Sequence, residues 1–317
     1  MINRLSFLIL VLALGATVSA HADGAAYLVV DSQTGYVLQQ QNAKEKKQVG
    51  SLTKIATACV VLDWAEKKGG DLNQIVTVPQ IALAGIEKNE IGLQPGDTIS
   101  LRDLLYAALI QSDNVAANVL AAHVGEALAA SGIAPAGGAK QVTPTAVFVG
   151  QMNALAKSLK MERTRFSNPT GFDQTERPTP YSTASDMARL TRYALQKASF
   201  RFYVSQKERV ISITRAGKAM PYTLHTTNDL LGSNGIDGVK TGQTAKAGEC
   251  VILSSRRESE IVKEGAQTAV YPRHIIVVLL GSTDRFGMGE RLIAQGWRAY
   301  DQWAAAGRLV SPERVLN

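Results

Sequence analysis

The stretch Gly50-Ser51-Leu52-Thr53-Lys54 runs directly into the apolar sequence Ile55-Ala56-Thr57-Ala58-Cys59-Val60-Val61-Leu62. The pattern predicts a loop that turns into a buried helix, with a serine at its entrance and a lysine one turn further on. Residues three apart lie on the same face of a helix, so the Lys54 amine is expected beside the Ser51 hydroxyl. By itself, a Ser-x-x-Lys spacing more often marks a helix cap and a lysine that reaches solvent.

The same spacing can also support nucleophilic chemistry. A serine hydroxyl is a weak nucleophile and needs an adjacent base. A lysine can be that base when burial or a second cation lowers its pKa. The N–H groups at the start of the helix would in addition stabilise a developing oxyanion. The rest of the chain must decide between these two interpretations.

Composition excludes several classes of protein. The chain has 317 residues, of which 45% are hydrophobic and 19% charged, as in an ordinary globular protein. The net charge of +7 favours anionic partners, but no basic run is interleaved with aromatic residues, so we expect no nucleic-acid binding. The four histidines are scattered without ligand spacing, and we therefore expect no metal and no cofactor.

Residues 1–22 have the pattern of a secretory signal peptide. Arg4 precedes the apolar run Leu5 to Val18, and Ala20-His21-Ala22 is a small-x-small cleavage site. We expect export across the inner membrane to the periplasm, with an uncleaved anchor as the less favoured alternative. No later stretch could span a membrane, so at most peripheral membrane contact is expected.

The two cysteines do not form an obvious disulfide framework. Cys59 and Cys250 both lie in apolar runs and are expected to be buried. We favour free thiols. A disulfide between them stays open, because an exported protein enters an oxidising compartment and cysteine pairing does not follow from sequence.

The order of periodic segments predicts the fold class. A β-hairpin (25–39), a buried helix (51–67) and a short strand (Gln74–Val78) are followed by helices up to about residue 204. Strands follow from about residue 209, and a closing helix at about 284–306 ends the order. We predict an α+β fold: an antiparallel sheet flanked by helices (about 23–85 and 205–317) with an inserted all-helical lobe (about 86–204). The apolar stripe of the closing helix favours packing on the sheet over membrane binding. Residues 131–146 and 256–272 are expected to be a long loop and a charged connection.

Two further motifs follow Ser51 and Lys54 along the chain. Ser112-Asp113-Asn114 interrupts a helical pattern, and Lys240-Thr241-Gly242 lies on a predicted strand. Alone, the first is more often a helix cap at Ser112, and the second a turn. S-x-x-K, S-D-N and K-T-G in this order are the signature of class A β-lactamases and penicillin-binding proteins. With flanking matches that include Asn168-Pro169-Thr170-Gly171, the chain resembles the D-alanyl-D-alanine carboxypeptidases, or low-molecular-mass penicillin-binding proteins, over nearly its whole length after residue 22.

This resemblance implies three catalytic residues. Ser51 would attack the carbonyl of a D-Ala-D-Ala bond and form an acyl-enzyme, and Lys54 would take its proton. Ser112 would relay a proton to the leaving amine. We expect the nearby charge of Lys240 to lower the pKa of Lys54.

The resemblance also implies a set of substrate-binding residues: Asn114, Lys240, Thr241, Gly242 and Gln243. Lys240 and Thr241 would bind the terminal carboxylate, and Gly242 would let the peptide lie along the strand edge. The backbone N–H groups of Ser51 and Gln243 would form the oxyanion hole.

The expected activity is removal of the terminal D-alanine from peptidoglycan stem peptides, with β-lactams as covalent inhibitors. The main alternative is a D,D-endopeptidase that cuts peptide cross-links. A β-lactamase is less favoured, because no Glu-x-x-x-Asn pattern lies between Ser112 and Lys240. A non-catalytic penicillin sensor is also less favoured. Residues 23–317 are expected to form one peptidase domain without a C-terminal β domain, and segments 131–146 and 256–272 to contact the glycan or a partner.

Overall fold

The structure, a computed structural model, describes residues 24–86, 88–133, 143–173, 179–264 and 267–316. The predicted signal peptide and most of the predicted loop 131–146 lie outside the described residues. No helix in these ranges is both long and apolar enough to cross a membrane. Cys59 and Cys250 are both buried free thiols, as favoured from the sequence.

The strands, in chain order, are β1 (Ala26–Asp31), β2 (Val37–Gln41), β3 (Ile75–Thr77), β4 (Thr98–Ser100), β5 (Glu208–Arg215), β6 (Lys218–His225), β7 (Ile236–Thr244), β8 (Gly248–Glu264) and β9 (Gln267–Ser282). The helices are α1 (Lys54–Lys68), α2 (Leu101–Ile110), α3 (Asn114–Ala130), α4 (Pro144–Ser158), α5 (Ala184–Gln196), α6 (Ala198–Val204) and α7 (Arg285–Ala305).

The main sheet joins the two ends of the chain. Its five antiparallel strands lie in the order β2-β1-β9-β8-β7, so the N-terminal hairpin pairs with strands from the last third of the sequence. Alternate residues of β1 and β9 point to opposite faces, which gives each face its own apolar core. Val29 and Val277 pack with Trp297 of α7, whereas Leu28 and Val278 belong to the core that includes α1. The closing helix therefore packs on the sheet, as predicted.

The α+β class is confirmed, and helices α2 to α6 surround α1 on the other side of the sheet. A second sheet, of order β3-β4-β5-β6, adds strands to this part of the molecule, and β4 lies within the range expected to be all-helical. Strand β3 lies where a short strand was predicted at Gln74–Val78. Strand β4 was not predicted, because its three residues are too few for a period of two to be visible in the sequence.

The predicted charged connection 256–272 is wrong. Strands β8 and β9 continue through it as a two-stranded ribbon, paired from Arg256↔His274 outward. The ribbon extends past the last pairs with β7 and β1, so both of its faces are open to solvent at the far end. This exposure explains its charged composition, which hides the strand pattern. Its base is held by Arg257 and Arg273, which both form ion pairs with Asp301.

Candidate active site

The turn before α1 places Ser51 next to Lys54. Residues Gly50–Thr53 form a single 3-10 turn that leads directly into the first residue of α1. The Lys54 side chain is fully buried, and its Nζ lies 2.9 Å from Ser51 Oγ. The three-residue spacing thus produces the contact that helical geometry predicts.

Two further acceptors surround the Lys54 amine. Nζ donates to Asn114 Oδ1 at 2.7 Å and to the Thr170 carbonyl at 3.1 Å. A neutral amine has two N–H groups and one lone pair. With both N–H groups used on Asn114 and Thr170, the lone pair is left for the proton of Ser51.

Burial favours this neutral form. It lowers the pKa of Lys54 from 10.5 to about 7, while the carboxylates of Asp113 and Glu90 act in the opposite direction. Burial, rather than the charge of Lys240 that we expected, is therefore the main cause. Burial likewise holds the pKa of Lys240 well below its usual range, helped by the nearby charges of Lys54 and Arg285.

The break between α2 and α3 presents Ser112. The residue adopts a left-handed conformation with φ of 65°, which is uncommon outside glycine and concentrates at functional sites. The helix cap is Asp113 and not Ser112, since Asp113 Oδ1 accepts the Ala116 N–H at 2.7 Å. The other oxygen of Asp113 accepts the Ile91 N–H at 3.1 Å, so this buried carboxylate joins the break to the loop before β4.

Strand β7 lies against the turn Gly50–Thr53. A Cβ added to Gly242 would lie 2.9 Å from the Val49 carbonyl oxygen and 3.1 Å from the Ser51 nitrogen. We expected Gly242 to make room for a substrate, but the space is filled by this backbone. A Cβ on Gly50 would in turn lie 3.3 Å from the Gln243 nitrogen. The two N–H groups expected in the oxyanion hole thus lie where the turn and the strand meet.

These elements enclose a cleft of about 800 Å³. Six of the residues predicted from the sequence line it: Ser51, Ser112, Asn114, Thr241, Gly242 and Gln243. Lys54 and Lys240 are buried beside it, at 0% and 1% exposure. All the predicted residues are therefore brought together around one opening.

The cleft also contains residues that the sequence did not single out. Arg285, the first residue of α7, lies 3.4 Å from both the Gly242 carbonyl and Gln243 Oε1. Asp173 accepts hydrogen bonds from the Thr244 hydroxyl and the Lys246 N–H. Neither belongs to a motif that we examined. The role of Thr170 was equally hidden, because it uses a backbone carbonyl, which every residue carries.

Comparison with known proteins gives consistent results. The sequence model of the D-alanyl-D-alanine carboxypeptidase family matches residues 15–263. D-alanyl-D-alanine carboxypeptidase DacC of Escherichia coli K12 is 31% identical over 88% of this chain and 62% of its own length. DacF of Bacillus subtilis 168 is 28% identical over 75% and 55%. The chain thus spans little more than half the length of these relatives.

Other similar proteins carry different descriptions. A D-alanyl-D-alanine endopeptidase of Pseudomonas aeruginosa is 30% identical over 73% of this chain and 66% of its own length. Among solved structures, the Streptomyces K15 DD-transpeptidase has a TM-score of 0.71 at 25% identity, covering 86% of this chain and 96% of its own. Penicillin-binding protein D2 of Listeria monocytogenes, in its cefotaxime-bound form, has a TM-score of 0.64 at 26% identity and the same coverage.

Proposed function

This chain belongs to the D-alanyl-D-alanine carboxypeptidase family, and we propose that it is a serine peptidase that removes the terminal D-alanine from peptidoglycan stem peptides. The observation that carries the proposal is the Lys54 amine, which is buried, has a pKa near 7 and lies 2.9 Å from Ser51 Oγ. This arrangement is that of a nucleophile and its general base.

In the proposed acylation, Ser51 Oγ attacks the carbonyl carbon of the D-Ala-D-Ala bond while its proton passes to the neutral Lys54 amine. The N–H groups of Ser51 and Gln243 stabilise the oxyanion. Collapse of the tetrahedral intermediate breaks the C–N bond, and the proton passes from Lys54 through the Ser112 hydroxyl to the leaving amine. Water then attacks the ester, with Lys54 again as the base, and releases the shortened peptide.

A cationic end of the cleft supports recognition of the terminal carboxylate. Thr241 and Arg285 line this end, and Lys240 is buried beside it with its Nζ donating to the Thr241 carbonyl at 2.9 Å. The Arg285 side chain lines the cleft, where its guanidinium can pair with a carboxylate. A bound carboxylate would also favour the charged form of Lys240, whose pKa is lowered in the empty cleft.

Asn114 has a double role in this proposal. Its Oδ1 accepts a hydrogen bond from Lys54 and so orients the base. The side chain also lines the cleft, where its amide can contact the substrate backbone. β-Lactams would acylate Ser51 in the same position. We place the protein in the periplasm, on the basis of the signal-like residues 1–22.

A D,D-endopeptidase that cuts peptide cross-links is the second candidate. It is supported by the endopeptidases of Pseudomonas aeruginosa and Escherichia coli, both 30% identical to this chain. The deciding experiment incubates the protein with muropeptides that include pentapeptide monomers and cross-linked dimers, with Ser51→Ala as the control. Release of D-alanine supports the carboxypeptidase. Conversion of dimers to monomers without D-alanine supports the endopeptidase, and no reaction of either kind contradicts both.

A further inference from the structure

Thr227 lies on the wall of the cleft, between helix α2 and strand β7. It follows β6, and its N–H donates to the carbonyl of Ile110, the last residue of α2, at 3.2 Å. Its hydroxyl has two possible acceptors, since Oγ1 lies 3.4 Å from the same Ile110 carbonyl and 2.6 Å from Thr241 Oγ1 of β7. The contact with Thr241 is much the shorter of the two. Both threonines line the cleft. Thr227 therefore connects the helix that precedes Ser112 to the strand that carries the proposed carboxylate site.

The neighbouring turn holds this arrangement in place. Asn228 is buried, and its Nδ2 donates to the Gly238 carbonyl of β7 at 3.3 Å. Asn228 Oδ1 accepts the Leu230 N–H at 3.2 Å. The backbone of Thr227 is thus fixed on both sides, so that its side chain is presented to Thr241 in a defined position.

The direction of the hydrogen bond between the two hydroxyls determines what Thr241 can do. Each hydroxyl has one proton, and only one of them can lie between the two oxygens. When Thr227 donates, the proton of Thr241 is free to point into the cleft. A carboxylate bound there accepts a hydrogen bond from Thr241. This strengthens the hydrogen bond between the two threonines as well, since hydrogen bonds in series polarise one another. When Thr241 donates instead, its oxygen faces the carboxylate and repels it.

We propose that Thr227 is a positioning residue for carboxylate recognition, which acts by donating to Thr241 Oγ1 and so directing the Thr241 proton to the terminal carboxylate of the substrate. The proposal rests on the function proposed above. It assigns to Thr227 a role in distinguishing substrates with a free C-terminal carboxylate from those without one. The binding of a peptide of the same length with a neutral C-terminus should not depend on the Thr227 hydroxyl.

The test uses one substitution that removes the hydroxyl and one that keeps it. Thr227→Val has nearly the same shape and keeps the N–H bond to Ile110 but removes the hydroxyl. Thr227→Ser keeps the hydroxyl and is the matched control. The substrates are N-acylated L-Lys-D-Ala-D-Ala with a free carboxylate, and the same peptide as a C-terminal carboxamide.

For Thr227→Val we expect KM for the carboxylate peptide to rise about tenfold, with kcat within about threefold of the parent. On the carboxamide, kcat/KM should change less than twofold, and Thr227→Ser should match the parent on both peptides. Equal losses of Thr227→Val on the two peptides would show a merely structural role and overturn the proposal, as would unchanged kinetics on both.

A second pair of probes separates this proposal from the proposed function. Acylation of Ser51 by benzylpenicillin, which carries a carboxylate, is compared with acylation by its methyl ester in the same three proteins. The ratio of the acylation rate with benzylpenicillin to that with its methyl ester should fall about tenfold in Thr227→Val and stay unchanged in Thr227→Ser. If the parent cleaves no peptide but these acylation rates behave as expected, the peptidase proposal fails and the role of Thr227 stands.

Discussion

The pKa of Lys54 leads to a quantitative prediction about the pH dependence of acylation. Lys54 can act as the proposed base only when its amine is neutral, and burial lowers its pKa from 10.5 to about 7. The neutral fraction should therefore be about one tenth at pH 6, one half at pH 7 and nine tenths at pH 8. At pH 7 this is roughly a thousandfold more neutral amine than an ordinary lysine provides. The acylation rate should rise about tenfold between pH 6 and 8.

A single substitution tests the electrostatic origin of this profile. Glu90 lines the cleft, and its carboxylate raises the pKa of Lys54. Glu90→Gln should therefore lower that pKa and move the rising limb to lower pH, so that the variant is faster than the parent at pH 6 and equal to it above pH 8. Glu258→Gln makes the same change of net charge on the exposed ribbon and should leave the profile unchanged.

The assay is the first-order rate of acylation by a saturating fluorescent penicillin, followed by stopped flow from pH 5 to 9. Saturation removes the pH dependence of binding, so that the limb reports the bound enzyme. A profile that stays flat between pH 6 and 8 would refute the assignment of Lys54 as the base with a pKa near 7. A shift of the Glu90→Gln limb to higher pH would refute the electrostatic reasoning.

Three further predictions concern the nucleophile, the turn and the stability of the sheet. Ser51→Ala should abolish covalent labelling by penicillin while the thermal midpoint stays within a few degrees, as seen by gel fluorescence and circular dichroism. Gly242→Ala should slow acylation at least tenfold, because its Cβ would lie 2.9 Å from the Val49 carbonyl oxygen and push β7 from the turn; unchanged kinetics would contradict this contact. Burial would raise the pKa of Asp237, but the side chains of His274, Ser254 and Arg256 hold it down at about 2. The ionised carboxylate therefore stabilises the fold above its unfolded pKa of about 3.8, and this contribution is lost as the pH falls to 2. Asp237→Asn should be less stable than the parent at pH 5, and its free energy of unfolding should fall less between pH 4 and 2, measured by denaturant titration.

Much of the site follows from local sequence rules. The spacing of Ser51 and Lys54 brings them together on any helix. The residue patterns at the two ends of the chain predict strands that pair in one sheet, and these strands do share one sheet. The interruption at Ser112 is visible as a break in helical periodicity, although its left-handed conformation is not.

Other parts of the site have no local signature. Arg285 begins the last helix, 45 residues after Lys240, and reaches the cleft only because β8 and β9 return the chain to β7. Thr227 is one of two adjacent threonines in a turn, and nothing in its neighbours indicates the 2.6 Å contact with Thr241. The ribbon of β8 and β9 is hidden for a different reason, since exposure on both faces removes the alternation of apolar and polar residues.

The sequence by itself determined which residues could do the chemistry and which of them are neighbours on one element, because helical and strand periodicity are properties of a short segment. The tertiary structure alone decided that the Lys54 amine is buried, with the Thr170 carbonyl and Asn114 as its acceptors. It also decided that β7 lies against the turn at Gly50. The pKa of a base and the position of an oxyanion hole depend on atoms far apart in the chain, and only packing brings those atoms within a few ångströms.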